Sequence, residues 1–326
     1  MNKLSIVLLG LLTMTGPALT APPVNAQDVE NWVTRLAADQ MRGRVNGSRE
    51  ITEASEWIAG QFEAAGLTPV PGQGSYFQEH DHGKEFPYRN VIGYLKGNDS
   101  QLADEYIILS AHYDHIGTKD NMVFNGADDN ASGVSAVIGL AHTLAQSKPK
   151  RSILFVAWSG EEEGLLGSKY YTEHPLLPLG NAVLNLNFEM VGHTQGMGKR
   201  QFWITGAEHS TLYASLKQIG DMWGWKVTAS PFPELELFWR SDNVSFVQLK
   251  VDREAGAIYG IPAHSISTWG QEGHYHKPND DADTLDYDNL SGLIEMLAVM
   301  VGDLANRSNT IQWKSDSAAP LRPYTD

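Results

Sequence analysis

The sequence predicts an α/β fold with a mostly parallel central sheet and helices on both faces. Short apolar runs of strand length alternate with stretches of helical period along most of the chain. Two of the runs, residues 106–110 and 153–158, are continuously apolar or nearly so, as strands covered on both faces are. Side chains of metal-binding type recur just after the strand runs, at the edge where an open parallel sheet places its ligands.

The elements follow in order. Residues 1–26 carry one Lys, an apolar run over 4–14, then small and Pro-rich residues ending in Val24-Asn25-Ala26. This is the pattern of a signal peptide, too short to remain as a membrane span, with cleavage expected after Ala26. Residues 27–326 then form a single domain. Val29, Trp32, Val33 and Leu36 place a helix over 28–38, and Ile51, Ala54, Trp57, Ile58 and Phe62 a second over 49–65. Strands are expected at 91–95, 106–110, 153–158, 182–190, 201–205 and 261–267. Helices are expected at 131–146, 165–172, 210–223 and 287–305. The polar stretch 308–326, with Pro320 and Pro323, reads as a loosely ordered tail.

Composition narrows the function. A formal net charge of −15 disfavours nucleic acid as a partner, because phosphate binding needs a basic surface. The chain has no cysteine, which excludes disulfides, thiolate zinc sites and a cysteine-borne lipid. With the signal pattern and no second long apolar segment, the expected location is the periplasm or the extracellular medium of a bacterium, with no membrane span. Part of the acidity has a use if the chain holds two divalent cations, which partly neutralise several carboxylates.

Chemistry concentrates first in residues 112–133, HYDHIGTKDNMVFNGADDNASG. His112 and Asp114 lie two apart at a strand end and share a face, a spacing that suits a ligand imidazole with a carboxylate fixing its tautomer. Asp128 and Asp129 stand just ahead of a helix, where unpaired N–H groups favour negative charge. Glu161 and Glu162 follow the run 153–158, Glu189 ends 182–190, and His276 follows 261–267. Alone, each would read as a solvated residue; together they mark one edge of one sheet. The acidic run Glu161-Glu162-Glu163 would by itself be an exposed loop. Gly160 and Gly164 allow a tight turn that splays the carboxylates, one onto a metal and one toward a metal-activated water.

His112-x-Asp114, Gly126-Ala127-Asp128-Asp129-Asn130-Ala131-Ser132-Gly133, Glu161-Glu162-x-Gly164-x-x-Gly167-Ser168, Asn187-x-Glu189-Met190 and Tyr275-His276-x-Pro278 resemble, in order, the motif series of the secreted di-zinc aminopeptidase family. Glutamate carboxypeptidases and glutaminyl cyclases are relatives of that family. The resemblance spans nearly all of residues 27–326 and implies a zinc-exopeptidase-like catalytic domain with two zinc ions per chain, acting on peptide substrates. It implies that Asp128 bridges the metals, that His112 and Glu189 complete one shell and Glu162 and His276 the other, and that Glu161 is the general base. Asp114, Asp129 and Asp280 would support the ligands from behind, and a cis peptide is implied between Asp128 and Asp129.

The chain departs from the family pattern at three places. Glu189 stands where many members have Asp, Asn243 follows Ser241-Asp242 where His is common, and the stretch 248–259 looks longer than usual, as a loop shaping access to the site. His274 is set aside as a ligand, and His80, His82, His115 and His193 read as surface or packing residues. Trp223, Trp225, Phe232, Phe238, Trp239 and Trp269 give the later chain an aromatic character without singling out a substrate contact. The expected activity is removal of the N-terminal residue of a peptide. The rival readings are a carboxypeptidase of the same fold, with Arg240 or Arg253 as its carboxylate anchor, a glutaminyl-cyclase-like acyltransferase, and a binding domain without catalysis.

Overall fold

The computed structural model describes residues 24–253 and 256–317. Most of the expected signal segment, and the tail beyond 317, lie outside the described residues. Helix α1 (Ala26–Leu36) begins at Asn25, whose side chain accepts the Asp28 N–H at 2.9 Å while the Asp28 carboxylate accepts the Asn25 N–H at 3.4 Å. This reciprocal cap satisfies donors that a helix start otherwise leaves open. Asn25 falls inside the segment expected to be cleaved, so cleavage after Ala26 would remove the cap. Helix α2 (Arg49–Ala64) is capped by Ser48, whose Oγ accepts the Ile51 N–H at 3.2 Å, and it buries Ile51, Ala54, Ile58 and Phe62.

The strands β1 (Phe77–His80), β2 (Tyr88–Leu95) and β3 (Tyr106–His112) come next, then a small hairpin of β4 (Thr118–Lys119) and β5 (Met122–Val123). Helix α3 (Gly133–Leu144), β6 (Ser152–Trp158), α4 (Leu166–Glu173), β7 (Ala182–Phe188), β8 (Gln201–Ile204), α5 (Leu212–Trp223) and β9 (Lys226–Ala229) continue the alternation. The chain closes with α6 (Asn243–Val247), a hairpin of β10 (Lys250–Arg253) and β11 (Gly256–Tyr259), β12 (Ala263–Ser267) and α7 (Tyr287–Asn306). The stretch expected as a longer access loop thus contains the β10–β11 hairpin.

Eight strands form one sheet in the order β1-β2-β6-β3-β7-β12-β8-β9. Its centre, β6, β3, β7 and β12, is parallel, while β2 and β8 flank it antiparallel. Every residue of β3 and β6 is buried, as their apolar sequences require. Alternate side chains serve opposite layers: Ile107, Leu109 and Ala111 join the core under α1, α2, α3 and α7, whereas Tyr106 and Ile108 join Tyr171 of α4 and Phe246 of α6. Each such leucine, isoleucine or phenylalanine contributes roughly 1.5–3 kcal/mol by leaving water.

Several boundaries differ from the sequence reading by one to three residues, two of them for identifiable local reasons. The helix expected from 131 becomes regular at Gly133, because residues Ala127–Ser132 ahead of it form a π-helical turn broken at Asp129 (φ −106°, ψ 88°) and Asn130 (φ −136°, ψ 42°). The strand expected to reach 190 ends at Phe188, since Met190 turns the chain with φ 50°. The short edge strands β1 and β9 and both hairpins have no counterpart among the expected elements.

Parallel alignment brings the carboxyl ends of β3, β6, β7 and β12 to one edge. The loops there are held by Arg44, which is fully buried. Its Nε donates to Tyr113 O at 2.7 Å, Nη1 to Leu36 O and Asn125 O at 2.7 Å each, and Nη2 to Gly126 O at 2.9 Å. Arg44→Ala would remove this donor from the Tyr113, Leu36 and Asn125 carbonyls, while Gly126 O keeps the Ala131 N–H, at roughly 1–3 kcal/mol for a buried group left unpaired. Urea unfolding of this variant is expected to lose about 3 kcal/mol or more; a loss under about 1 kcal/mol would contradict the role given to Arg44.

Candidate metal centre

His112, the last residue of β3, points its Nε2 to 3.1 Å from Glu189 Oε1 and 3.3 Å from Asp129 Oδ1. Its Nδ1 lies 3.2 Å from Asp114 O and 3.7 Å from Asp114 Oδ1. On the other side of Asp129, His276 Nε2 is 3.2 Å from Asp129 Oδ2 and 3.1 Å from each oxygen of Glu162. The side chains fall into two groups, His112 with Glu161 and Glu189, and His115 with Asp129, Glu162 and His276, each with ligand atoms within 4.8 Å of one another. Asp129 lies in the second group, and its Oδ1 reaches His112 of the first.

Asp128, expected as the bridge, does not enter the cluster. Its Oδ1 accepts the Gly192 N–H at 2.7 Å, and it is buried away from both imidazoles. Asp129, expected behind the ligands, occupies the position between them. The cause is the turn at 126–133. Asp280 accepts the Asp128 N–H at 2.8 Å and the Asp129 N–H at 3.0 Å, one on each oxygen. Asn130 ties the far side, donating to Phe188 O at 2.8 Å and accepting the Met190 N–H at 3.2 Å. The cis peptide lies between Asp129 and Asn130, one residue later than expected. Gly126 starts the turn with φ 58°, and a Cβ there would stand 2.3 Å from Asp129 O, so a side chain does not fit.

The acidic turn is fixed from below. Asp114 accepts the Glu161 N–H at 3.1 Å, the Glu162 N–H at 3.2 Å and Asn46 Nδ2 at 2.7 Å. Asp114 therefore holds His112 through its backbone carbonyl and the glutamate backbone through its carboxylate. Glu189 is held through its outer oxygen, which accepts Ser241 Oγ at 2.7 Å and leaves Oε1 to face His112. His115, read from sequence as a surface or packing residue, is buried with Nδ1 3.0 Å from Glu162 Oε1. Its place three residues after His112 is a signal of ligand spacing that a loop without period does not make compelling. His274 stays outside both groups, stacked on His193 with ring centroids 4.8 Å apart.

The charges press on one another. Burial opposes a charge on His112, yet the carboxylates of Glu189, Glu161, Asp114 and Asp129 outweigh it and push the imidazole well above its usual range. Hydrogen bonds donated to the Asp129 and Glu162 carboxylates raise His276 to about 10. Burial pushes Glu161 well above the usual carboxylate range; His112 opposes this, while Glu189, Asp242 and Glu162 add to it. Burial also raises Asp242 to about 7. Carboxylates outnumber imidazoles, and a mixed set of this kind, with the geometry above, fits divalent zinc. Beside the cluster opens a cleft whose walls include Met190, Trp203, Leu237, Trp269 and Tyr275. Of the aromatic residues noted in the sequence, Trp269 lines it, whereas Trp225 and Phe238 are buried in the core.

A mixed sheet with helices on both faces, gathering imidazoles and carboxylates at its parallel strand ends, defines a fold of the zinc-exopeptidase class. The sequence model of peptidase family M28 matches residues 90–301, and the chain belongs to that family. Aminopeptidase YwaD of Bacillus subtilis is 27% identical over 220 residues, a match that takes in 65% of this chain and 44% of that protein. The chain thus spans less than half the length of this relative. The solved structure of BSAP, a zinc aminopeptidase from Bacillus subtilis, superposes with a TM-score of 0.68 at 15% identity, covering 91% of this chain and 98% of that one. Glutaminyl cyclase from Porphyromonas gingivalis gives a TM-score of 0.65 at 20% identity, over 87% of this chain and 99% of that one. At these identities the structural likeness is one of fold.

The anchoring of the 126–133 turn by Asp280 is testable by amide hydrogen exchange. In Asp280→Ala the Asp128 and Asp129 amides lose their acceptor, and their exchange is expected to speed up about tenfold or more relative to the amides of β3. Unchanged protection at those two positions would contradict the anchor.

Proposed function

We propose that this protein is an exported aminopeptidase that holds two zinc ions per chain and releases the N-terminal residue of peptides. The observation that supports it most directly is the Asp129 carboxylate, with one oxygen 3.3 Å from His112 Nε2 and the other 3.2 Å from His276 Nε2. One side chain therefore joins both ligand groups. His112, Asp129 and Glu189 would hold one zinc, and Asp129, Glu162 and His276 the other. His115 would orient Glu162, Asp114 would orient His112, and Asp280 would set the turn that carries Asp129. The N-terminal signal pattern supports export. Among the described residues no helix is long and apolar enough to cross a membrane.

Bound zinc supplies Lewis acidity to the scissile carbonyl and lowers the pKa of water at the site. The chain supplies the rest. Glu161 lines the cleft and belongs to the group of His112 and Glu189, placing a carboxylate beside the reacting centre. It takes the proton of the attacking water and returns it to the nitrogen as the C–N bond breaks, so one group serves as base and then as acid. The surplus of carboxylate favours the positive charge of a free N-terminal amine, which is the group an aminopeptidase must recognise.

Leucine p-nitroanilide and its N-acetyl derivative, assayed with and without chelator, separate the readings. The free amine substrate is expected to be cleaved, to be spared after chelation, and to be cleaved again on addition of zinc. Turnover confined to the acetylated compound would overturn the proposal. Glu161→Gln is expected to lose at least about a hundredfold in kcat while still binding two zinc ions per chain; a drop in zinc content instead would make Glu161 a ligand. Asp129→Ala should bind fewer than two zinc ions and Asp128→Asn the full two, by elemental analysis after dialysis. The opposite pattern would restore Asp128 as the bridge.

A further inference from the structure

We propose that Arg240 is a specificity-determining residue that receives a carboxylate of the substrate, resting on the peptidase reading above. Arg240 is exposed and lines the cleft beside Glu189, Glu162 and Tyr275. It is the one Lys or Arg among the described lining residues of that cleft. The other arginines whose side chains are described are engaged within the chain: Arg42, Arg49, Arg89, Arg151 and Arg307 with carboxylates, Arg44 and Arg200 with carbonyls, Arg35 with the Met41 sulfur; the Arg253 side chain lies outside the description. The Arg240 guanidinium has no hydrogen bond or ion pair among the described residues, although acidic side chains line the same cleft; only the backbone N–H is engaged, on Leu237 O at 3.3 Å.

Its position is fixed close to the chemistry. The next residue, Ser241, donates its Oγ to Glu189 at 2.7 Å. Its charge acts on the Tyr275 phenol, whose ring stacks on His276 with centroids 4.0 Å apart. A guanidinium offers a planar fork of donors that fits a carboxylate in two parallel hydrogen bonds. In a cleft otherwise rich in carboxylate, this cation supplies the attraction for an anionic group, while Leu237, Trp203 and Trp269 offer apolar wall to the carbon skeleton. The carboxylate can come from two sources with the same chemistry: an acidic side chain on the N-terminal residue, or the free C-terminus of a dipeptide.

Paired substrates distinguish the sources. Leu-Leu against Leu-Leu amide varies the terminal carboxylate, and glutamyl against glutaminyl p-nitroanilide varies the side chain, each assayed on the zinc-loaded wild type and on Arg240→Gln. One pair is expected to favour its charged member by about tenfold in kcat/KM, mainly through KM, with that ratio falling to near one in Arg240→Gln and partly recovering in Arg240→Lys. Because each ratio is taken within one protein preparation, a general loss of activity does not mimic the effect. Ratios near one for both pairs in the wild type, or ratios unchanged by Arg240→Gln, would overturn the proposal. If only N-acetylated peptides with a free C-terminus are cleaved, the aminopeptidase reading fails, and Arg240 is then judged by whether Arg240→Gln raises KM for those peptides.

Discussion

The hydrogen bonds from the backbone N–H groups of Asp128 and Asp129 to the two oxygens of Asp280 decide which aspartate faces the imidazoles. Asp280 lies after β12 and the turn lies before α3, so the two halves of the chain must pack before the turn takes its final form. With both amides held on one carboxylate, Asp128 is left to the Gly192 N–H and Asp129 is left to His112 and His276. The candidate centre is assembled around that choice. Every other member arrives from the end of a parallel strand, and Asp129 is the side chain that spans between them.

A ring of supporting contacts converts a flexible acidic edge into a defined one. Asp114 holds the glutamate turn through two backbone N–H groups, Ser241 holds the outer oxygen of Glu189, and Arg44 gathers carbonyls from the end of α1, from Tyr113 after β3 and from Asn125 and Gly126. These contacts bear the cost of crowding like charges, because hydrogen bonds to ionised groups are stronger than neutral ones and here are largely shielded from water. The longer side chain of Glu189 fits this scheme: with Oε2 engaged by Ser241, Oε1 remains to meet His112.

Much of this was legible in the sequence, and the limits have a physical pattern. The central strands are short continuous apolar runs and the long helices carry a period of 3.6 in their apolar residues, so their type and place follow from the local pattern alone. Glu161, Glu162, Glu189 and His276 follow from lying after those strands. The choice between Asp128 and Asp129 does not, since both are acidic, adjacent and ahead of a helix, and what separates them is a carboxylate about 150 residues away in the chain. His115 was missed because a loop has no period to say which way its side chain points. Trp203 and Leu237 reach the cleft through packing of β8 and the segment before α6, which leaves no trace in either stretch by itself. Edge strands such as β1 are short and half exposed, and their pattern is too brief to stand out.

The central claim is that one carboxylate, Asp129, joins two metal sites at the parallel strand ends. Anomalous diffraction at the zinc edge, from crystals of the zinc-loaded protein, tests it most directly. Two peaks are expected, one beside each oxygen of Asp129, the first next to His112 and Glu189 and the second next to Glu162 and His276. A single peak, or a peak coordinated by Asp128 in place of Asp129, would contradict the account.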